Sequence, residues 1–197
     1  MNYHPPGPSG PIPCFRVDPV VGAELPAAVI VLQEIFGVNA YIRGVCQELA
    51  NAGFTAVAID LFHRKAPGFV TGYDEAGFAA GRAQAAALDL AGFHADIEAL
   101  VDALRKDPAV NDRVGVLGFC FGGMLAWEAH ALHAIDAAVS FYGRAHSPGL
   151  DGVSPCDRAA TMRGPILAHF ASDDPIIPPT AVGQCAAALV KGPARAT

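Results

Sequence analysis

Cys120, which lies between closely spaced glycines, is the residue of this 197-residue sequence best suited to covalent chemistry. The apolar run 114–117 predicts a strand that ends at Gly118, and residues 124–131 have the pattern of a helix. Gly-x-Cys-x-Gly between a strand and a helix is the pattern of a nucleophile elbow, with sulfur in place of the usual serine oxygen. This pattern favours a nucleophile over the alternative, a buried structural cysteine beside a glycine-rich turn.

The residues around Cys120 fit the physics of such a turn. Gly118 and Gly122 are small enough to let the strand and the helix approach each other closely. The N–H of Phe121 would point toward the place where an oxyanion forms, and the positive helix N-terminus would favour the thiolate of Cys120 over the thiol. We therefore expect Cys120 to be a nucleophile.

Continuous apolar runs alternate with helical patterns along the chain. Buried strands are predicted at residues 27–33, 55–59, 114–117, 137–142 and 165–171, with a weaker edge strand at 15–21. Helices are predicted after Asn39, across 93–104, from 124 onward and across 180–190. This order indicates an α/β fold of three layers, in which a mostly parallel, twisted sheet has helices on both faces.

We expect residues 1–197 to form a single domain, because no linker or internal repeat interrupts the pattern. Residues 1–13 are rich in proline and glycine and should form an arm outside the core. The irregular and alanine-rich residues 61–88 should form a cap-like region over a site.

Composition excludes several classes of protein. Hydrophobic residues make up 52% and charged residues 16%, which is typical of a globular protein, and the net charge of −6 argues against a nucleic-acid partner. No apolar stretch of about twenty residues and no secretory signal is evident, so we expect no membrane partner. The five cysteines are widely spaced without a CxxC pair, which predicts a reducing cytoplasmic location and neither a zinc site nor a disulfide framework. We expect no metal and no cofactor.

Acidic residues follow two of the predicted strands at the edge where parallel sheets bind ligands. Glu34 would be partly desolvated there, so its pKa should rise and let it exchange a proton with a thiol; the alternative is a surface ion pair with Arg43. Asp174 could orient a histidine, but its turn-forming sequence is an alternative explanation, and Asp173 competes for the role.

Taken together, these segments resemble the dienelactone hydrolase family of α/β-hydrolases. The matching stretches are Gln33–Asn39, Asp60–Phe62 with Ala66–Gly68, Gly118–Gly123, Tyr142–Gly143, and Asp174 followed by Pro178. The resemblance implies a Cys-His-Asp triad with Cys120 as nucleophile and Asp174 as acid. It also implies that Glu34 controls the resting state of the thiol, and that the amides of Ile35 and Phe121 form the oxyanion hole.

The sequence departs from the family at the triad histidine, because all seven histidines precede Asp174. The family continues through another strand, a histidine loop and a last helix, so we expect a fold truncated at the C-terminal edge of its sheet, or a natural loss of the triad. A third explanation is a substitute base, for which His146 and His63 are candidates because each follows a strand. His169 lies within a predicted strand and should be a hydrogen-bonded core residue.

The resemblance implies that carboxylate-bearing lactones or small esters are opened through a thioester on Cys120. Arg64 and Arg82, in or beside the cap-like region, are candidates to hold the substrate carboxylate, although both could equally be solvated surface residues. The alternative function is a catalytically impaired scaffold that acts by binding or assembly. A redox sensor at Cys120 is a weaker alternative. An exposed sheet edge would also favour self-association.

Overall fold

The computed structural model describes residues 1–20, 26–131 and 135–191, and its strands form one seven-stranded sheet. The strands are β1 (Asn2–Tyr3), β2 (Cys14–Val17), β3 (Ala28–Leu32), β4 (Thr55–Ile59), β5 (Val114–Phe119), β6 (Ala137–Phe141) and β7 (Ile166–His169). The helices are α1 (Ala40–Asn51), α2 (Glu75–Ala86), α3 (Leu90–Arg105), α4 (Phe121–Ala131) and α5 (Pro179–Lys191), with a 3₁₀ helix at Pro155–Thr161.

The sheet is parallel from β4 to its far edge. In space the strand order is β1-β2-β4-β3-β5-β6-β7, with parallel pairing from β4 through β7 and antiparallel pairing of β2 with both β1 and β4. Parallel strands need crossover helices, which bury them on both faces and explain their continuous apolar sequences. The predicted α/β fold with a mostly parallel sheet is therefore confirmed.

Helices pack on both faces of this sheet. On one face Ile42 of α1 shares a buried cluster with Val31 and Phe119. On the other face α3, α4 and α5 cover a larger cluster that includes Leu100 and Trp127. Among the described residues, no helix combines the length and the apolar character that crossing a bilayer would require.

The N-terminal segment is more structured than its composition predicts. Asn2 and Tyr3 pair with Phe15 and Cys14 at one edge of the sheet. Ile12 is completely buried and belongs to the larger core cluster. The expectation that residues 1–13 stay outside the core is therefore wrong at Ile12, whose apolar side chain outweighs the prolines and glycines around it.

The region 61–88 consists of turns followed by α2. It crosses the end of β3, where Gly37 pairs with Val70 and the amide of Thr71 donates to the carbonyl of Phe36 at 3.2 Å. The ring of Phe78 on α2 meets the ring of Phe36 edge-on, with centroids 4.9 Å apart. These contacts bring the region against the segment that follows β3.

Candidate active site

Cys120 lies in the turn that joins β5 to α4. Its φ of +53° is in the left-handed region, which is rare for a residue other than glycine. Its amide donates to the carbonyl of Phe141 at 3.0 Å, and its carbonyl accepts from the amide of Met124 at 3.0 Å. Both peptide groups of the strained residue are therefore held, and the strand–turn–helix order predicted around Cys120 is present.

Two glycines make this turn sterically feasible. A Cβ at Gly118 would lie 2.0 Å from the carbonyl oxygen of Gly122, and a Cβ at Gly122 would lie 2.3 Å from that of Leu32. Real Cβ atoms do not approach backbone oxygens so closely, and a backbone oxygen cannot swing aside as a side chain can. The close approach of α4 to β3 and β5 thus requires glycine at both positions.

The thiol of Cys120 lies in a site of mixed charge. Burial raises its pKa, whereas a hydrogen bond from the Phe121 amide lowers it. The carboxylates of Glu34 and Asp174 raise the pKa further, and the guanidinium of Arg144 lowers it. The fold therefore brings these three charged groups within electrostatic reach of the thiol, and burial makes the neutral thiol the favoured resting form.

Glu34 is held between two tyrosines at the end of β3. The hydroxyl of Tyr142 donates to one carboxylate oxygen and that of Tyr73 to the other, both at 3.3 Å. Asn39 donates to the Tyr73 hydroxyl at 3.0 Å. Burial raises the pKa of Glu34, and the two tyrosine hydrogen bonds oppose that rise. The Glu34–Arg43 ion pair is absent, because the guanidinium of Arg43 donates to the carbonyl of Val38 and stacks on Phe15 instead.

Asp174 lies in the loop between β7 and α5. One of its carboxylate oxygens accepts from the amides of Ile176 at 2.7 Å and Ile177 at 3.2 Å, so the predicted turn chemistry is present. The same carboxylate is close enough to Cys120 to raise the pKa of its thiol. Asp173 is exposed and accepts from the neighbouring Ser172 hydroxyl.

The backbone amides of Ile35 and Phe121 were expected to form an oxyanion hole, and that assignment stays a prediction. The Phe121 amide donates toward the sulfur of Cys120. The N–H of Ile35 has no acceptor among the described residues, and Ile35 itself is buried. Helix α2 packs directly over it, because a Cβ at Gly81 would lie 2.5 Å from the Ile35 carbonyl oxygen.

The two arginines expected to bind a carboxylate lie in different surroundings. Arg82 follows Gly81 on α2 and is exposed. Arg64 forms a two-pronged ion pair with Asp96 on α3, at 2.7 and 2.9 Å, and also donates to the Ser9 hydroxyl. Arg64 thus serves to bind α3 to the loop after β4, and its assignment to substrate stays a prediction.

The two histidines considered as substitute bases also lie in different surroundings. His63 binds Asp96 through its Nε2 at 3.0 Å, so it shares the carboxylate that Arg64 uses. His146 follows β6, and its Nδ1 is buried without a partner among the described residues. Burial lowers the pKa of His146, and the nearby Arg144 lowers it further. None of the histidines in the described ranges hydrogen-bonds Cys120, so the substitute-base assignments of His146 and His63 stay predictions.

His169 is not the core residue that its strand predicts. It is exposed at the end of β7, and its ring stacks on Phe141 with centroids 4.5 Å apart. The expectation was wrong because β7 lies at the edge of the sheet, where Leu167 and His169 on one face of the strand are both exposed. Within the described part of the chain, no cluster of three or more histidine, cysteine or acidic residues could hold a metal ion.

Three residues beside the site were given no role by the sequence, although Tyr142 lies in a stretch that matches the family. Tyr142 and Arg144 follow the strand now defined as β6, and their position at its carboxyl end was the available signal. Tyr142 has a φ of +42°, a second left-handed residue beside the site. Tyr73 had no such signal, because it lies in an irregular loop whose path the sequence does not specify.

Known proteins share the fold and part of the sequence of this chain. The profile of the dienelactone hydrolase family matches residues 19–196. The chain belongs to the dienelactone hydrolase family. A Synechocystis sp. protein assigned as a carboxymethylenebutenolidase is 35% identical over 180 residues, which cover 90% of this chain. The carboxymethylenebutenolidase of Pseudomonas putida is 35% identical over 158 residues, which cover 79% of this chain.

A solved structure extends the comparison to the fold of the dienelactone hydrolases. A Klebsiella pneumoniae protein assigned as a dienelactone hydrolase superposes with a TM-score of 0.84 at 26% identity, covering 100% of this chain and 83% of that chain. The matched segments span 73% of the Synechocystis relative and 64% of the P. putida enzyme. This family member therefore corresponds to roughly two thirds of the length of these relatives.

Proposed function

We propose that the chain hydrolyses carboxylate-bearing lactones or small esters through a thioester on Cys120. The observation that carries the proposal is the strained turn at Cys120, whose thiol accepts a hydrogen bond from the Phe121 amide and lies within electrostatic reach of Glu34 and Asp174. The relatives named as carboxymethylenebutenolidases support the reaction class, since that name denotes a lactone hydrolase.

The first step transfers the acyl group to sulfur. Glu34 accepts the proton of Cys120, and the thiolate attacks the carbonyl carbon, so that a C–S bond forms. The negative charge that develops on the carbonyl oxygen is stabilised by the amides of Ile35 and Phe121. The ring or ester C–O bond then breaks, and the leaving oxygen takes up the proton from Glu34. The tyrosines on Glu34 would keep its carboxylate in position during this exchange.

The second step needs water and a base. Water attacks the thioester carbon, the C–S bond breaks, and the sulfur leaves as the thiol or thiolate. Family resemblance assigns the base to a histidine oriented by Asp174, and His146 is the candidate among the described residues because it lies beside Arg144 at the same edge of the sheet. A half-buried imidazole with a lowered pKa would be neutral near pH 7 and could accept a proton.

Arginines would select substrates with a carboxylate. Arg144 lies within electrostatic reach of Cys120, and Arg82 is exposed on the helix that packs over Ile35. We propose that these two hold the substrate carboxylate, in preference to Arg64, which is bound to Asp96. A guanidinium pairs well with a carboxylate because its parallel N–H groups match the two oxygens.

The proposal is tested by comparing a neutral ester with a carboxylate-bearing ester of the same acyl group. Cys120→Ala should lose about 10³-fold or more of kcat on both, whereas Arg82→Gln and Arg144→Gln should raise KM only for the carboxylate-bearing ester. Cys46→Ala, at a buried cysteine of α1, is the control for loss of a thiol. Hydrolysis that survives Cys120→Ala would refute the proposal. A folded wild-type chain that hydrolyses neither ester would instead support the impaired scaffold.

We also propose self-association through β7 and a cytoplasmic location. Strand β7 has only four residues at the sheet edge, and its Leu167 is 37% exposed on the face that His169 shares. Leu167→Lys should shift sedimentation velocity profiles toward the monomer, because a charge on an edge strand discourages pairing. A wild-type chain that stays monomeric at high concentration would rule out self-association.

The cytoplasmic location is proposed from the cysteine pattern, and cell fractionation would test it.

A further inference from the structure

Two cysteines outside the proposed active site lie in contact. The sulfur of Cys156 in the 3₁₀ helix lies 3.1 Å from that of Cys185 on α5. Both residues are buried, with 4% and 2% of their surfaces exposed. They are separated by 29 positions in sequence, and their proximity follows from the packing of α5 on the 3₁₀ helix. Neither has a role in the reaction proposed above.

The surroundings of the pair assign different roles to the two sulfurs. The hydrogen bond from the Cys185 thiol lowers the pKa of Cys156, whereas that hydrogen bond and burial raise the pKa of Cys185. The thiol of Cys156 in turn donates to the carbonyl of Ala145 at 3.0 Å, and this is the proton that Cys156 must lose to become a thiolate. Cys156 is therefore the sulfur closer to a thiolate, and Cys185 is the partner that keeps its proton.

We propose that Cys156 and Cys185 form a redox-active dithiol that a small hydroperoxide converts to a disulfide. A disulfide bond is about 2.0 Å long, so the two sulfurs need to approach by only about 1 Å from their separation of 3.1 Å. The burial of both sulfurs favours hydrogen peroxide or a comparably small oxidant over a bulky disulfide.

The reaction is balanced in two steps. The thiolate of Cys156 attacks one oxygen of the hydroperoxide, the O–O bond breaks, and the departing oxygen takes up the proton that Cys156 lost. The sulfur of Cys185 then attacks the sulfenic acid on Cys156, the S–S bond forms, and the S–O bond breaks with release of water that carries the Cys185 proton. The two sulfurs lose two electrons and the peroxide is reduced.

A disulfide between Cys156 and Cys185 would hold together two segments that lie near the proposed active site. It would close a loop that contains β7 and the Asp174 segment, and it would join α5 to the 3₁₀ helix that contacts Ala145. Arg144, next to Ala145, and Asp174, in the loop before α5, both lie within electrostatic reach of the Cys120 thiol. We therefore expect oxidation to stabilise the fold by restricting the unfolded chain.

Peptide mapping tests the bridge directly, because each of the five cysteines lies in a different tryptic peptide. After treatment with hydrogen peroxide and blocking of the remaining thiols, a digest without reductant should contain residues 145–158 linked to residues 164–191. Dithiothreitol should separate them. A digest in which the peptide of Cys120 is oxidised but these two are not linked, or in which either is linked to another cysteine, would overturn the proposal.

Thermal unfolding supplies a second readout in the Cys120→Ala chain, where the nucleophile itself cannot be oxidised. Peroxide should raise its Tm by about 5–15 °C, reversibly with dithiothreitol. Adding Cys156→Ala or Cys185→Ala should abolish the rise, whereas adding Cys46→Ala, at a buried cysteine of α1, should preserve it. A fall in Tm on oxidation, or a rise that survives both alanine variants, would contradict the proposal even though the active site is already disabled.

Discussion

Backbone geometry at single residues prepares the site for its chemistry. Cys120 and Tyr142 both have left-handed φ angles, +53° and +42°, which cost on the order of 1 kcal/mol each for residues with a Cβ. The amide of Cys120 binds the Phe141 carbonyl, and the amide of Tyr142 binds that of His169, so adjacent strands hold both conformations. The sheet thereby supports the strain at Cys120 and at Tyr142, whose hydroxyl donates to Glu34.

Gly122→Ala should destabilise the fold because the new Cβ would lie 2.3 Å from the carbonyl oxygen of Leu32. We expect a loss of about 1–3 kcal/mol in the free energy of unfolding, measured by urea denaturation. Gly183→Ala on α5 is the matched control, since its Cβ would have no neighbour within 4 Å, and it should be stabilising by up to about 1 kcal/mol. Equal effects of the two substitutions would contradict the steric argument.

Glu34→Gln should stabilise the protein at neutral pH while it impairs turnover. The folded pKa of Glu34 is raised, so ionising Glu34 costs more in the folded chain than in the unfolded chain. Its unfavourable contribution is therefore absent below the ordinary pKa of 4.5, grows as the pH rises through the folded pKa, and stays constant above it. Glu34→Gln has no carboxylate to ionise, so the variant does not carry this unfavourable contribution to the free energy of unfolding.

Urea denaturation of both chains between pH 4 and pH 8 measures this difference. Glu48→Gln, at an exposed position of α1, controls for the loss of one negative charge. A stability difference between Glu34→Gln and wild type that does not change across this range would show that the carboxylate is not penalised by burial.

At the scale of elements, the start of α1 connects helix stability to the site. The side chain of Asn39 accepts from the amide of Ile42 at 3.1 Å and thereby caps the helix. The same side chain donates to Tyr73, which in turn donates to Glu34. One amide group thus caps the helix with its oxygen and, through Tyr73, helps to position the Glu34 carboxylate with its nitrogen.

The two roles of Asn39 are separable by mutation. Asn39→Ala should lower the free energy of unfolding by about 1 kcal/mol through loss of the cap, and it should also reduce turnover. Asn39→Asp retains the capping oxygen but not the donor to Tyr73, so it should stay as stable as wild type and lose turnover. Urea denaturation and ester hydrolysis measured on both variants would check this; full turnover in Asn39→Asp would disprove the link through Tyr73.

For the whole molecule, the sequence is informative where a local pattern determines structure. Apolar runs predicted the central strands, and the cap at Asn39 predicted the start of α1 at Ala40. The sequence could not determine strand order, so it misplaced His169 in the core although β7 is an edge strand.

The sequence also could not predict contacts between distant segments of the chain. Cys156 and Cys185 meet only because α5 packs on the 3₁₀ helix, and neither element has a residue pattern that specifies its neighbour. The same holds for Arg64, which the sequence placed near a substrate but which binds Asp96 on α3. A charged loop residue pairs with whichever opposite charge the fold brings near it, and only the structure shows which residue that is.

The most direct test of the account is to locate the acyl group. The chain is mixed with a chromogenic short-chain ester, quenched in acid within the first turnover, and digested with trypsin for mass spectrometry. We expect one acyl group on the peptide of residues 114–144, which contains Cys120 and no other cysteine, and none in the Cys120→Ala chain. An acyl group on a different peptide, or chromophore release that continues unchanged in Cys120→Ala, would contradict it.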